Sequence, residues 1–162
     1  MTRSNIGKTL YIATALPANN DAASFEALTW VQVKGVQTLP SLGITHGGID
    51  VSDLGTGFTR GIKGAASGKD STFTFHKIDG DAGQASAKER AEEAAGLGAI
   101  KIVAGSGTDS GHGPAPVAGD PVEYAQGYFH SFEKNEGSDT THEGASVSFK
   151  QNAISVEATQ PA

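Results

Sequence analysis

Apolar and polar residues alternate most cleanly along Ser71–Ile78 (STFTFHKI), where Phe73 and Phe75 fall on one side and Thr72, Thr74 and His76 on the other. A β-strand has this two-residue repeat, so the segment is expected to be a half-buried strand. Thr29–Val36 reads the same way, with Val31 and Val33 set against Trp30, Gln32 and Lys34, and Gly35 marking a turn or bulge. Gly98–Ala104 brings together Ile100, Ile102 and Val103. Pro121–Phe132 carries Tyr124, Tyr128, Phe129 and Phe132, with Gly127 as the expected bulge. His142–Lys150 alternates Ala145, Val147 and Phe149 with Ser146, Ser148 and Lys150. At Gln151-Asn152 the phase slips, because Ile154 and Val156 fall on the other parity. That slip predicts a bend, a bulge, or a terminal segment leaving the sheet.

One stretch gives a convincing helical signal. Asp79-Gly80-Asp81 stops a strand and supplies a cap for a helix over Ala82–Ala95 (82–95), a run rich in strong helix formers. Its inner face is small (Ala82, Ala85, Ala91, Ala94, Ala95), so it should lie close against a sheet. Near the N-terminus, Thr9–Ala15 is a further strand ahead of Pro17, and Asp21 could cap a single turn over Ala22–Leu28. These elements together predict an α+β fold, mainly antiparallel: a β-sandwich or open barrel with one flanking α-helix. By length the chain, 1–162, is a single domain. Residues 1–20 read as an N-terminal arm and 153–162 as a C-terminal arm.

One stretch does not fit a compact domain. Ser41–Asp70 lies between two strands and eight of its residues are glycine, which reads as a long loop over 43–69. Structureless connections beyond roughly 12–15 residues tend to be functional or disordered. Yet Ile44, Ile49, Val51, Leu54, Phe58 and Ile62 recur through it, and a solvated tether has no use for them. They are expected to form an inter-subunit contact, an arm that orders against a neighbouring copy. The alternative is a β-hairpin or functional loop folded back on its own domain.

Composition narrows the classes. Glycine at 22 of 162 residues is about twice the average of ~7%, which favours many short strands and turns. The net charge of −6 and pI near 5.2 argue against binding nucleic acid by phosphate neutralisation. No cysteine is present, so disulfides, thiolate metal sites and cysteine nucleophiles are all excluded. No segment approaches the ~20 apolar residues that span a bilayer, so no membrane insertion is expected. The N-terminus resembles a weak secretion signal, but its run Leu10–Leu16 is interrupted and barely long enough, so a signal peptide is not expected.

The chemical motifs fail one by one. GAASGKD (Gly64–Asp70) has its first glycine too close for a phosphate loop, and Asp70 stands where Ser or Thr must hold the metal. GSGTDSG (Gly105–Gly111) follows a strand, but the GHGPAPVAGDP after it cannot begin a helix. The five histidines (His46, His76, His112, His130, His142) show no metal-ligand spacing. No catalytic residue, metal site or cofactor is expected. Gly105–Gly119 reads as an exposed Gly/Pro/Ser-rich loop.

The order of features resembles the major tail tube protein of long-tailed (siphovirus-type) bacteriophages. Three stretches carry it: FEALTWVQVKGVQTLPSLG (Phe25–Gly43), STFTFHKIDGDAGQASAKERAEEAAG (Ser71–Gly96) and EYAQGYFHSFEKNEGSDTTHEGASVSFKQN (Glu123–Asn152). They cover about half the chain, and Gly105–Pro121 matches least. The resemblance implies a structural, non-enzymatic subunit of the virion, assembled in the host cytoplasm. It implies hexameric rings stacked helically into a tube, with the long loop reaching the adjoining ring. Tape-measure, tail-tip and tail-terminator proteins would be its partners, and DNA would pass through the lumen without specific binding. Acidic residues on the lumen would repel phosphate and let DNA slide; Glu123, Glu133 and Glu143 are the residues expected there, ordinary solvated positions being the other reading. A secretion-system tube protein of related fold is the near alternative. A binding module (capsid-decorating or adhesin-like) using Gly105–Gly119 for recognition is the alternative of a different class. A hydrolase on the same scaffold would need a preformed polar pocket.

Overall fold

In the computed structural model, which describes residues 2–162, the chain runs β1 (Lys8–Ala13), α1 (Ala22–Glu26), β2 (Val31–Val33), β3 (Val36–Thr38), β4 (Ile44–Asp53), β5 (Phe58–Gly68), β6 (Asp70–His76), α2 (Ala82–Glu92), β7 (Leu97–Ala104), β8 (Pro121–Lys134), β9 (Gly144–Gln151) and β10 (Val156–Thr159). The fold is α+β, and every strand pairing is antiparallel. The main sheet has the order β2-β1-β7-β8-β9-β6-β3, with β10 added beside the start of β8.

Alternation decides which side each residue faces. Leu10, Ile12, Phe73, Phe75, Ile100, Ile102, Phe129, Val147 and Phe149 meet on one face, where α2 contributes Ala87 and Ala91. Ala13, Ala99, Val103, Val122 and Tyr124 point to the other face, where α1 adds Phe25. There Phe25 stacks on Tyr124 at 5.1 Å, and Trp30 Nε1 donates to the Phe25 carbonyl at 2.9 Å. Phe73, Phe149 and Phe25 are fully buried, each worth about 1.5–3 kcal/mol of apolar burial.

The two edges of the sheet, β2 and β3, are consecutive in sequence and joined only by Lys34-Gly35. The sheet must therefore curl until its edges meet. It is not a closed barrel, because no ladder runs between β2 and β3; the N-terminus of α2 staples the seam instead. Asp81 caps the helix by accepting the Gln84 N–H at 3.0 Å, and the same oxygen accepts the Lys34 N–H at 3.2 Å. Gln84 Nε2 donates to the carbonyls of Lys34 and His76, both at 2.8 Å, and its Oε1 accepts the Ile78 N–H. Gly83 allows this approach, since a Cβ there would lie 2.0 Å from the Gln32 carbonyl oxygen.

Several expectations change. The helix stops at Glu92 rather than Ala95, because the chain must turn at Gly96, whose φ of +58° and carbonyl contact with the Phe129 N–H set the entry to β7. The turn expected over Ala22–Leu28 is present as α1, Ala22–Glu26, with Asp21 as its cap. The bulge in β8 falls at His130, not Gly127; Gly127 packs so closely on β9 that a Cβ would meet the Lys150 carbonyl oxygen at 1.9 Å. Residues 8–13 of the expected N-terminal arm form β1, well inside the sheet between β2 and β7. Within 153–162, β10 pairs with β8 on the same side as β9, so the phase slip marks an interruption after which the chain continues along β8, and not an exit.

Candidate functional site

Residues 43–69 are not a structureless loop. They form a two-stranded sheet of their own, β4 against β5, paired from Ile44↔Gly68 to Asp53↔Phe58. At ~3.3 Å per residue a ten-residue strand reaches roughly 30 Å. The tip Leu54-Gly55-Thr56-Gly57 is closed by the Gly57 N–H bonding the Asp53 carbonyl at 2.9 Å. The Asp53 carboxylate accepts the Gly55 N–H at 2.8 Å, and Gly57 takes a φ of +64°. Glycines at 47, 48, 61 and 64 obscure the period-2 signal in the sequence, although Ile49-Asp50-Val51-Ser52 carries it.

The hairpin is amphipathic. Ile49 faces Ile62, Val51 faces Arg60 and Asp53 faces Phe58 across the strands on one side. Asp50, Ser52, Thr59 and Lys63 occupy the other. Leu54 is fully exposed at the tip and Phe58 is 72% exposed; Ile49, Val51 and Ile62 are about half exposed. Alternation along β4 puts Ile44 on the opposite face, near the base. A lone two-stranded hairpin is marginal in water, so this one depends on its base.

The base is built from β9. Gln151, 1% exposed, accepts the Gly43 N–H through Oε1 at 3.0 Å and donates through Nε2 to Ala153 at 2.7 Å. Its own N–H bonds the Lys69 carbonyl at 3.1 Å, and the Lys69 N–H bonds the Gly43 carbonyl at 2.9 Å. Gly68 leaves no room for a side chain, as a Cβ would sit 1.8 Å from the Gln151 carbonyl oxygen. Just beyond, His130 in the β8 bulge pairs with Asp70 at 2.8 Å. Sequence reading missed Gln151; only the phase slip at that residue marked the place.

The three glutamates do not share a surface. Glu133 stands opposite Ser146 on the side of the β8–β9–β6 sheet away from α2. That side is bare of helix and rich in hydroxyls: Thr38 bonds Thr74 at 2.8 Å, Thr72 bonds Ser148 at 2.9 Å, and Ser131 pairs with Ser148 across the strands. Glu123 lies on the face of Ala125, directly across from Glu157 on β10. Glu143 pairs with Lys77 at 2.9 Å, and this carboxylate, with Asp79 beside it, raises the ammonium's pKa above its ordinary value.

The segment between β7 and β8 is folded on itself rather than open. Asp120, nearly buried, accepts from the Ser106 hydroxyl at 2.7 Å, the Val117 N–H at 2.7 Å and the Ser106 N–H at 2.9 Å, which together hold its pKa below the usual carboxylate value. Asp109 accepts the N–H groups of Gly111 and Gly113, and Gln32 reaches the His112 carbonyl. On the α1 side of the sheet Lys101 is buried, its ammonium 4.6 Å from the Tyr11 ring centre and 5.4 Å from that of Trp30; burial lowers its pKa. Among the described residues no group of His, Cys, Asp and Glu is placed to hold a metal ion, and no helix is long and apolar enough to cross a membrane.

Neither a family model nor a curated protein matches the sequence. Solved structures do match over nearly the whole chain. A chain of the sheath-tube complex of an extracellular contractile injection system (PVC, extended state) aligns with a TM-score of 0.64 at 9% identity, covering 98% of this chain and 93% of that one. The SPP1 tail tube aligns with a TM-score of 0.61 at 16% identity, covering 98% and 80%. A chain of the anti-feeding prophage baseplate aligns at 0.61 and 5% identity, covering 99% and 97%. The fold is that of tail tube and injection-system tube proteins.

Proposed function

From this tube-protein fold we propose that the chain is the repeating structural subunit of a phage tail tube, with no catalytic role. Copies associate into hexameric rings, and the rings stack into a conduit for DNA. The observation that carries the reading is the hairpin: an apolar stripe of Ile49, Val51, Phe58 and Ile62 with Leu54 at its tip, projecting from a body that leaves it unburied. A head-to-tail contact that does not close on itself gives a filament and covers such a stripe in every copy but the terminal ones. The hydroxyl-rich face of β6, β8 and β9, with Glu133 among its residues, is the wall past which DNA slides, because it offers phosphate no cluster of cations to bind. Tape-measure, tail-tip and terminator proteins occupy the inside and ends of the tube, and assembly takes place in the host cytoplasm.

Negative-stain electron microscopy with light scattering tests this. Hollow tubes or rings of uniform width are expected. A protein that stays monomeric at high concentration, even when seeded with tail tips, would overturn the reading. The likeness to the injection-system sheath-tube chain supports a second reading, a tube that works inside a contractile sheath; binding of a sheath protein to preformed tubes would separate the two.

A further inference from the structure

One recess in the body takes its titratable lining from basic residues alone. It lies where the start of β1, the bend between β2 and β3, the end of β6 and the turn at 111–113 come together, and its volume is about 280 Å³. Lys8, His76 and His112 line it, along with Gly35, Gly111 and Gly113. No carboxylate among the described residues does so, although the chain carries a net charge of −6. His130 and His142 bond Asp70 and Gln37 through their rings, whereas the rings of His76 and His112 have no partner among the described residues. Lys8 likewise forms no ion pair among them.

The walls are held from several directions. The His76 N–H bonds the Gly35 carbonyl at 3.0 Å, and the His76 carbonyl accepts Gln84 Nε2 at 2.8 Å. Gln32 Nε2 holds the His112 carbonyl at 3.0 Å. Gly113, at a φ of +103°, sits so close on β1 that a Cβ would lie 2.6 Å from Thr9 Cγ2. The neighbouring acids are engaged with backbone: Asp109 accepts the N–H groups of Gly111 and Gly113, and Asp81 those of Lys34 and Gln84. A ligand therefore meets a preformed site and orders little on binding.

We propose that this recess binds a phosphate group, as the free ion or on a small ester. Lys8 supplies the charge, and an imidazole donates an N–H whether or not it is protonated. Charge-assisted bonds to phosphate oxygens are about twice as strong as neutral ones. Pockets for drug-sized ligands begin at about 300 Å³, so the recess suits a small tetrahedral anion and excludes a nucleotide. All of its lining comes from one chain, so the site does not depend on the tube reading.

Protein carrying isotope-labelled histidine, in solution or sedimented as an assembly, is titrated with inorganic phosphate at pH 7 and followed by NMR, chloride being withdrawn to hold ionic strength constant. The ring signals of His76 and His112 are expected to move together and saturate at one midpoint, while those of His46, His130 and His142 stay in place. Lys8 is exposed, and Lys8→Gln should raise the midpoint roughly tenfold through the loss of a hydrogen bond to a charged group. Unchanged signals from the other three rings mark an intact fold. Methyl phosphate moving the same pair would assign the ester-borne group; moving neither, the free ion. Equal movement of all five rings, or of none, would overturn the proposal. So would a midpoint, read on His76, that is the same in the parent, in Lys8→Gln and in a second variant, His112→Gln.

Discussion

The side-chain oxygen of Gln151 accepts the N–H of Gly43 at 3.0 Å, tying β9 of the body to the residue from which the hairpin departs. The same amide holds Ala153, and the Gln151 N–H holds Lys69 on the returning leg. Leucine at 151 fills similar space and removes both side-chain bonds. A buried polar group left unpaired costs about 1–3 kcal/mol, so Gln151→Leu is expected to lower the unfolding free energy by about 2 kcal/mol in urea titration. Hydrogen exchange should quicken over residues 43–69 more than over β7. Uniform quickening would mean that Gln151 supports the body and not the hairpin.

Because β4 and β5 pair only with each other, the hairpin is separable. Gly47 and Gly64 already face one another, a Cβ at Gly64 lying 3.0 Å from the Gly47 carbonyl oxygen. Excising residues 48–63 joins them as a Gly-Gly turn, a sequence suited to tight hairpins. The shortened protein should melt within a few degrees of the parent, roughly the shift that 1 kcal/mol produces. It should form no long tubes by microscopy. Normal polymerisation would show that the hairpin is dispensable.

Asp120 sets an acid limit for the segment between β7 and β8. Its folded pKa lies below the ordinary 3.8, so the unfolded chain binds more protons in that window and stability rises with pH through it. The contribution is complete above about pH 5 and is lost as pH falls through the folded value. Asp120→Asn should therefore melt below the parent at pH 7, and the two melting curves should converge in strong acid. A gap that persists there would assign the effect to packing.

Lys101 works in the opposite range. Burial lowers its pKa from 10.5, so the folded protein sheds this proton before the unfolded chain does, and stability gains as pH rises toward 10.5. Lys101→Met keeps a soft side chain against Tyr11 and Trp30 while removing the charge and its cation–π contacts, which are worth about 0.5–2 kcal/mol. Relative to this variant, the parent should gain stability between neutral pH and pH 10. A flat difference would mean that the amine is solvated in the folded state.

The alternating segments were legible in the sequence because their side chains report burial directly. Phe73 and Phe75 predict β6, and Ala145, Val147 and Phe149 predict β9, although that strand begins only at Gly144. Asp81 was readable as a cap; its second bond, to the Lys34 N–H across the seam, was not, since nothing local encodes a partner so distant in sequence.

Of the hairpin, the six apolar residues are legible in the sequence and their pairing is not. Glycine breaks at 47, 48, 61 and 64 hid the ladder, so strands were read as a loop. The acids show the reverse failure. Charge alone could not tell that Glu143 is neutralised by Lys77, or that Glu123 and Glu133 lie on different surfaces.

Gln151 also imposes an order in time. The ribosome delivers Gly43 and Lys69 long before it delivers the residue that holds them, and β1 must likewise await β7 and the seam must await α2. Pairings so distant in sequence form late. A partly made subunit therefore has no fixed hairpin to offer. Only a chain whose body has already closed presents its tip in a defined direction, so the tube growth proposed above would select finished subunits without a separate inspection step.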